Sequence, residues 1–399
     1  MVRGGTDSGN PGSRGTSDWP LQSGDACSAG LASATSSDSP TRRATVGRRA
    51  VGARMTLHDE IAEQPEVAAR FLASQADPIE AIGASLRERP VRQVVIAARG
   101  TSDHAALYAQ YVLGIRHRLS VALGTPSIVS LYGVVPDFTD TLVVGISQSG
   151  ASPDIVAVIA AARAQGAPTV AITNEPRSAL AAAADRTIDL GAGPERAIAA
   201  TKTYTTELLA IALLSAALAD DPADRAALAA IPETLERALE LGPEIERIAA
   251  EQAGSNRALV IARGFEYATA REWALKLKEL ARVFADPYSS ADFQHGPLAL
   301  VEPGVPVLAV VRGGAPEADL VALLRRLRGD LDAELMVVSD RPEALGLATW
   351  PVRLPDGTPE WLGPIVSIVP GQLHALHLTR ARGLDPERPR NLRKVTRTT

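Results

Sequence analysis

One cysteine, Cys27, is all the chain offers for thiol chemistry, which excludes an internal disulfide and a cysteine-based zinc site. A chain so poor in thiols is expected in a reducing, cytoplasmic compartment. No apolar run approaches the roughly 18 residues that a membrane-spanning helix requires, so none is expected. Arg42-Arg43 and Arg48-Arg49 precede no apolar stretch, so no export signal is expected either. Positive charge is not in excess: 41 Lys and Arg face 46 Asp and Glu, a formal net charge of -5. That balance disfavours nucleic acid as a partner, although local donors can still hold a small anion. Aromatic residues are only 4% of the chain, whereas Ala, Leu, Val and Gly abound. Such a mixture suits helices packed closely on parallel strands.

The 399 residues suffice for two cores of ordinary domain size and a tail. Residues 1–54 are rich in Ser, Gly, Thr, Arg and Ala without helical or strand periodicity. They are expected to form a disordered tail, or an over-long start, since Met55 directly precedes the first periodic stretch. From Thr56 onward Ile61, Val67, Phe71 and Leu72 recur at near-helical spacing. A buried strand is predicted over 91–98, followed by Arg99-Gly100-Thr101-Ser102 and an Ala-rich helix. Further strands are predicted around 127–130, 141–146 and 169–173, with a helix over 152–165. Strands alternating with helices of this length predict α/β folding around a parallel sheet covered on both faces. Right-handed crossovers then place the strand-to-helix loops at one edge.

The second half repeats the first. The stretch 92–100 resembles 257–264, and 143–153 resembles 308–316, an offset of one domain length. Two tandem doubly wound parallel-sheet domains are therefore expected, over 55–245 and 246–399. The helical segment 221–252, interrupted by Pro232 and Pro243, joins them.

The loop Ser147-Gln148-Ser149-Gly150 lies where an apolar strand gives way to a helix. Unpaired backbone N–H groups and partial positive charge at a helix start make an anion site. The hydroxyls of Ser147, Ser149 and Ser152 add donors, and Thr101 and Ser102 end an earlier strand of the same sheet. The same residues would also serve simply as a cap and a turn. The equivalent loop of the second copy, Arg312-Gly313-Gly314, lacks hydroxyls, so phosphate is expected in the first domain alone.

Glu272, Lys276 and Glu279 fall at helical spacing on one face, either an acid–base set or a solvated row of ion pairs. His295 follows in a Gly-Pro loop, and the chain ends on a basic stretch containing Lys394. Histidine is the usual proton shuttle near neutral pH.

Taken together, Arg99-Gly100-Thr101-Ser102, Ser147-Gln148-Ser149-Gly150, Gly193-Pro194-Glu195, Ala200-Thr201-Lys202, Lys276-Leu277-Lys278-Glu279, Gln294-His295-Gly296-Pro297 and Pro389-Arg390-Asn391-Leu392 carry a resemblance. In order and spacing they are similar to the isomerase half of glutamine–fructose-6-phosphate aminotransferase, the glucosamine-6-phosphate synthase family of tandem sugar-isomerase (SIS) domains. The resemblance implies flavodoxin-like, three-layer domains. It implies that Thr101, Ser102, Ser147, Gln148, Ser149 and Ser152 bind the sugar phosphate, with the backbone near Ile198 and Ala199 against the sugar. Glu279 would move a proton between C1 and C2 with Lys276 beside it. His295 would open the ring from the neighbouring subunit of a homodimer, and Lys394 would form an imine with the open-chain carbonyl. No metal or other cofactor is implied.

Two departures bear on the reaction. The family's glutamine-hydrolysing domain depends on an N-terminal cysteine, whereas this sequence begins Met1-Val2, so glutamine-driven transfer is not expected of it. The tail after Lys394 reads Val395-Thr396, one residue shorter than the family's usual pattern. Expected readings are an isomerase/deaminase interconverting glucosamine 6-phosphate with fructose 6-phosphate and ammonia, a deglycase or isomerase for another 6-phosphorylated amino sugar, or a non-catalytic phosphosugar sensor.

Overall fold

The computed structural model describes residues 55–394, so the expected tail at 1–54 and residues 395–399 lie outside the described part. Ten strands form two five-stranded sheets, parallel throughout. The first contains β1 (Gln93–Ala97), β2 (Ser120–Leu123), β3 (Thr141–Ile146), β4 (Thr169–Thr173) and β5 (Arg186–Asp189), in the order β2-β1-β3-β4-β5. The second contains β6 (Arg257–Ala262), β7 (Phe284–Ser289), β8 (Val307–Val311), β9 (Leu335–Ser339) and β10 (Trp350–Arg353). Its order, β7-β6-β8-β9-β10, is that of the first sheet strand for strand. Both sheets have the flavodoxin-like doubly wound order, so the repeat seen in the sequence is a repeat of topology.

Parallel sheets covered on both faces need apolar residues at every position of their central strands. β3, β4, β8 and β9 meet that requirement, each being buried along its whole length. Alternation then sends their side chains to different layers. Leu142, Val144 and Ile146 of β3, and Leu308 and Val310 of β8, enter one common core, whereas Val143 and Ala309 face separate outer cores. The common core is filled by the helices Gln64–Arg87, Lys202–Ala219 and Gly363–Ala381, so the two sheets share one apolar interior. The Lys202–Ala219 helix is buried from Lys202 to Ala217, because it lies between layers rather than on the surface.

One local expectation changes, and one strand is not anticipated by the sequence. Residues Ser127–Ser130 form a helical turn, not a strand, and the strand next to β1 is Ser120–Leu123. Pro126, at φ -57 and ψ -27, starts the turn with its ring already in the helical region. β7 carries Pro287, which disguises it as a loop in the sequence. It stands at a sheet edge, where a missing N–H is tolerated. The linking segment is three helices, Pro222–Ala229, Ile231–Leu239 and Gly242–Glu251, each with proline in its first turn.

Candidate active site

β1 and β3 are neighbours, so the loops that leave them lie side by side at one sheet edge. Gly100, at φ 57, turns the chain from β1 into the Thr101–His117 helix. After β3 the Ser147 N–H donates to the Ile172 carbonyl at 3.1 Å, and the Asn174 N–H donates to the Gln148 carbonyl at 3.1 Å. These bonds hold the loop against the end of β4. Gly150 has φ 58, and a Cβ there would lie 2.0 Å from the Ser178 Oγ. Its glycine is thus required by the packing of the loop on Ser178, at the start of the Ala179–Ala183 helix, as well as by its backbone conformation. Ser152 holds the N-cap position of the Pro153–Ala164 helix in extended conformation, its hydroxyl making no capping bond.

A cleft of about 350 Å³ opens between these loops. Thr101, Ser102, Ser147, Gln148, Ser149 and Ser152 form one wall. Ile198, Ala200, Thr203, Glu207 and Glu279 form another, and Leu392, Arg393 and Lys394 of the tail close over it. Arg99 stands at the rim, held by Asp154 at 2.9 Å.

The carboxylates and lysine of the second half meet the first half here. Lys276 Nζ lies 2.6 Å from Glu279, 3.2 Å from Glu272 and 3.2 Å from the Thr101 hydroxyl. Glu272 also pairs with His104 at 2.7 Å and accepts from the Thr101 hydroxyl at 3.1 Å. Glu272 and Lys276 are fully buried, so this face is an internal charge cluster, not a solvated row. Burial alone would depress the Lys276 ammonium, but Glu272 and Glu279 outweigh it and hold its pKa above the usual lysine range. Lys276 therefore serves as a fixed cation beside Glu279. The Tyr267–Lys276 helix ends in a π turn over Leu277–Ala281, a distortion that recurs at functional sites and here carries Glu279 into the cleft.

Lys394 reaches the same cleft through a 2.8 Å pair with Glu195. Burial would raise the Glu195 pKa, yet Lys394, the Thr201 N–H and the Thr203 hydroxyl hold it below the usual carboxylate range. Glu195 thus couples the tail to the start of the Lys202–Ala219 helix, accepting from the Thr201 and Thr203 N–H groups at 2.9 and 3.1 Å. The loop between them is braced from the N-terminal side, where Glu60 accepts from the Ala197 N–H at 3.1 Å. The Leu57 N–H donates to Glu387 at 2.8 Å, which ties that same turn to the tail.

The sequence-predicted residues separate into three groups. Thr101, Ser102, Ser147, Gln148, Ser149, Ser152, Ile198, Glu279 and Lys394 line one cleft. Lys276 lies directly behind Glu279, and Ala199 is buried behind the wall, where Ala200 lines the surface instead. His295 is exposed at the end of the Ser290–Gln294 helix and does not line this cleft. Sequence reasoning assigned no role to Glu195, Glu207 or His104. The available signal for Glu207 was a lone carboxylate opening the otherwise uncharged run 208–219.

The corresponding loop of the second sheet is filled from within. Arg312 is buried and pairs with Asp340 at 3.1 Å, while the Glu360 carboxylate packs against Gly314 so closely that a Cβ there would lie 2.2 Å from its Cδ. Among the described residues no group of three or more His, Cys, Asp or Glu side chains is placed to hold a metal ion, and no helix is long and apolar enough to cross a membrane.

Fold and cleft define a tandem doubly wound α/β protein with an open, hydroxyl-rich loop at a helix start and a lysine–carboxylate cluster facing it. The SIS-domain family model matches residues 89–217 and 253–343, and the chain belongs to that family. It is 35% identical over 311 residues to a glutamine–fructose-6-phosphate aminotransferase (isomerizing) of Pyrococcus horikoshii, covering 76% of this chain and 51% of that protein. The chain thus spans about half the length of the curated relatives it matches. A protein of Silicibacter pomeroyi DSS-3, solved as a candidate phosphosugar isomerase, superposes with a TM-score of 0.75 at 36% identity, over 83% of this chain and 99% of that one. The C-terminal domain of glucosamine-fructose-6-phosphate aminotransferase from Francisella tularensis superposes with a TM-score of 0.76 at 26% identity, covering 86% and 100%.

Proposed function

We propose that the chain is an isomerase/deaminase that converts an amino-sugar 6-phosphate, glucosamine 6-phosphate, to fructose 6-phosphate and ammonia, or runs the reverse reaction. The observation that carries this reading is the meeting of Ser147, Ser149, Glu279 and Lys394 in one cleft, although they come from opposite ends of the chain. The serine loop and helix start supply donors for the phosphate. Glu279 takes the proton from C2 of the open-chain aldehyde and returns it at C1, leaving an imine at C2. Lys276 holds a positive charge beside that carboxylate throughout. Lys394, as the free amine, attacks C2 of that imine and displaces ammonia; water then hydrolyses the lysine imine, releasing fructose 6-phosphate and the free amine.

Ring opening falls to His295 in this reading. Its exposed position outside the cleft fits delivery to the cleft of a second copy in a homodimer. The decisive assay supplies glucosamine 6-phosphate and measures ammonia and fructose 6-phosphate together. Tight binding without turnover would replace the enzyme by a phosphosugar sensor, and turnover that survives Lys394→Ala would remove the imine.

A further inference from the structure

One carboxyl group on the cleft wall has no part in that chemistry. Glu207 lies in the second turn of the Lys202–Ala219 helix and is 1% exposed. The Ser102 hydroxyl lies 2.8 Å from its Oε1, while its Oε2 is buried with no hydrogen-bond partner. The two ammonium groups of the site are engaged elsewhere, Lys276 by Glu272 and Glu279, and Lys394 by Glu195. A buried carboxylate supported by a single hydroxyl is poorly compensated for its lost hydration.

The neutral acid removes that cost. With its proton on Oε1 it donates to the Ser102 Oγ and leaves only an uncharged carbonyl oxygen unpaired. Ser102, having accepted that bond, turns its own proton toward the cleft. The ionised form imposes the opposite polarity: Ser102 donates to Glu207 and shows lone pairs to the cleft. A phosphate dianion accepts hydrogen bonds and donates none, so the first polarity suits it and the second repels it.

Resting on the phosphosugar reading above, we propose that Glu207 is a positioning residue that couples phosphate binding to its own protonation, turning the Ser102 hydroxyl toward the substrate when neutral and away when ionised. Its surroundings place this switch within reach of ordinary pH. Burial pushes the Glu207 carboxyl up to about 8, Ser102 and Lys276 opposing the rise while Glu195 and Glu272 add to it. The helices packed on this one bring charges that are already committed. Glu63, before the Gln64–Arg87 helix, holds Lys202; His104 and Arg116 of the Thr101–His117 helix hold Glu272 and Asp224. The Gly363–Ala381 helix brings His374 and His377, both shifted by burial toward the neutral form.

The test is calorimetric titration of fructose 6-phosphate, largely dianionic above about pH 7, into the folded chain between about pH 7 and 9.5. Wild type should hold a steady Kd up to about pH 8 and weaken roughly tenfold per pH unit beyond it. It should take up about half a proton per ligand near pH 8 and about one by roughly pH 9, read from the dependence of the binding enthalpy on the buffer. Glu207→Gln, whose amide donates to Ser102 at every pH, should bind with the low-pH affinity across the range. An equal pH dependence in wild type and Glu207→Gln overturns the coupling, as does binding by wild type without proton uptake, a result that needs no variant to fold. Failure of wild type to bind fructose 6-phosphate at any pH overturns the phosphosugar reading itself, and the coupling with it.

Discussion

The smallest units that decide this site are hydroxyls and one missing Cβ. Ser147 and Ser149 face the cleft, and their hydroxyl oxygens accept only long local bonds, from the Gly150 N–H at 3.2 Å and the Ala151 N–H at 3.4 Å. The double change Ser147→Ala with Ser149→Ala should raise KM tenfold or more, since each hydrogen bond to a charged group is worth about 1.5–3 kcal/mol. An unchanged KM in steady-state assays would sink the phosphate assignment. Gly150→Ala places a methyl on Ser178 in a left-handed backbone and should cost about 1–3 kcal/mol, read by chemical denaturation. At this scale the sequence showed which side chains share a place where the pattern is local, as in the serine loop and the 272–279 face. It was silent on Glu195 and Glu207, because their roles come from burial between segments that are far apart in the chain.

Elements show where periodicity succeeds and where it fails. β3 and β8 were visible as short, largely apolar runs leading into Ser147 and into Arg312-Gly313, the pattern that burial on both faces requires. β7 escaped because Pro287 and Asp286 are permitted only by its place at the edge. The π turn at Leu277–Ala281 has no signature in residue type: Leu277, Leu280 and Ala281 pack into the common core as residues of an ordinary helix would. The Gly363–Ala381 helix carries two further tests. A Cβ at Gly371 would lie 2.9 Å from Trp273 Cγ, so Gly371→Ala should destabilise by about 1–3 kcal/mol in thermal denaturation.

On the same helix His374 accepts from the Trp273 indole at 3.2 Å, which fixes its Nδ1 as unprotonated and its Nε2–H as the donor to Gln252 at 2.9 Å. Burial lowers its pKa to about 3, with His377 assisting. A folded-state pKa below the unfolded value means that this stability is complete above about pH 6.5 and declines as pH falls toward 3. Calorimetric melting between pH 7 and 4 should show a smaller loss of Tm in His374→Gln than in wild type; parallel losses would argue against His374 as the sensitive group.

Across the whole molecule both halves contribute to one cleft, hydroxyls from the first sheet's loops and Glu279 and Lys394 from the second half. The duplication was legible in the sequence because strand-end motifs survive at equal spacing, whereas the closing of the second loop by Arg312 and Glu360 was not, since Glu360 arrives from beyond β10. If His295 acts in a neighbouring copy, mixing inactive His295→Ala with inactive Lys394→Ala should restore about a quarter of wild-type turnover, one intact site in each mixed dimer of a random pairing. No recovery after refolding the two together would confine all the chemistry to one chain.

The common interior between the sheets has a further consequence. Because β3 and β8 send alternate side chains into the same apolar volume, the two halves cannot melt in succession as beads on a string. Unfolding is therefore expected as a single cooperative step, with amides of β3 and β8 exchanging at the same global opening rate. A gene cut between residues 252 and 253 should yield fragments that are each insoluble alone and recover structure only when expressed together, since each would bare the Leu- and Ala-rich surface that the other covers.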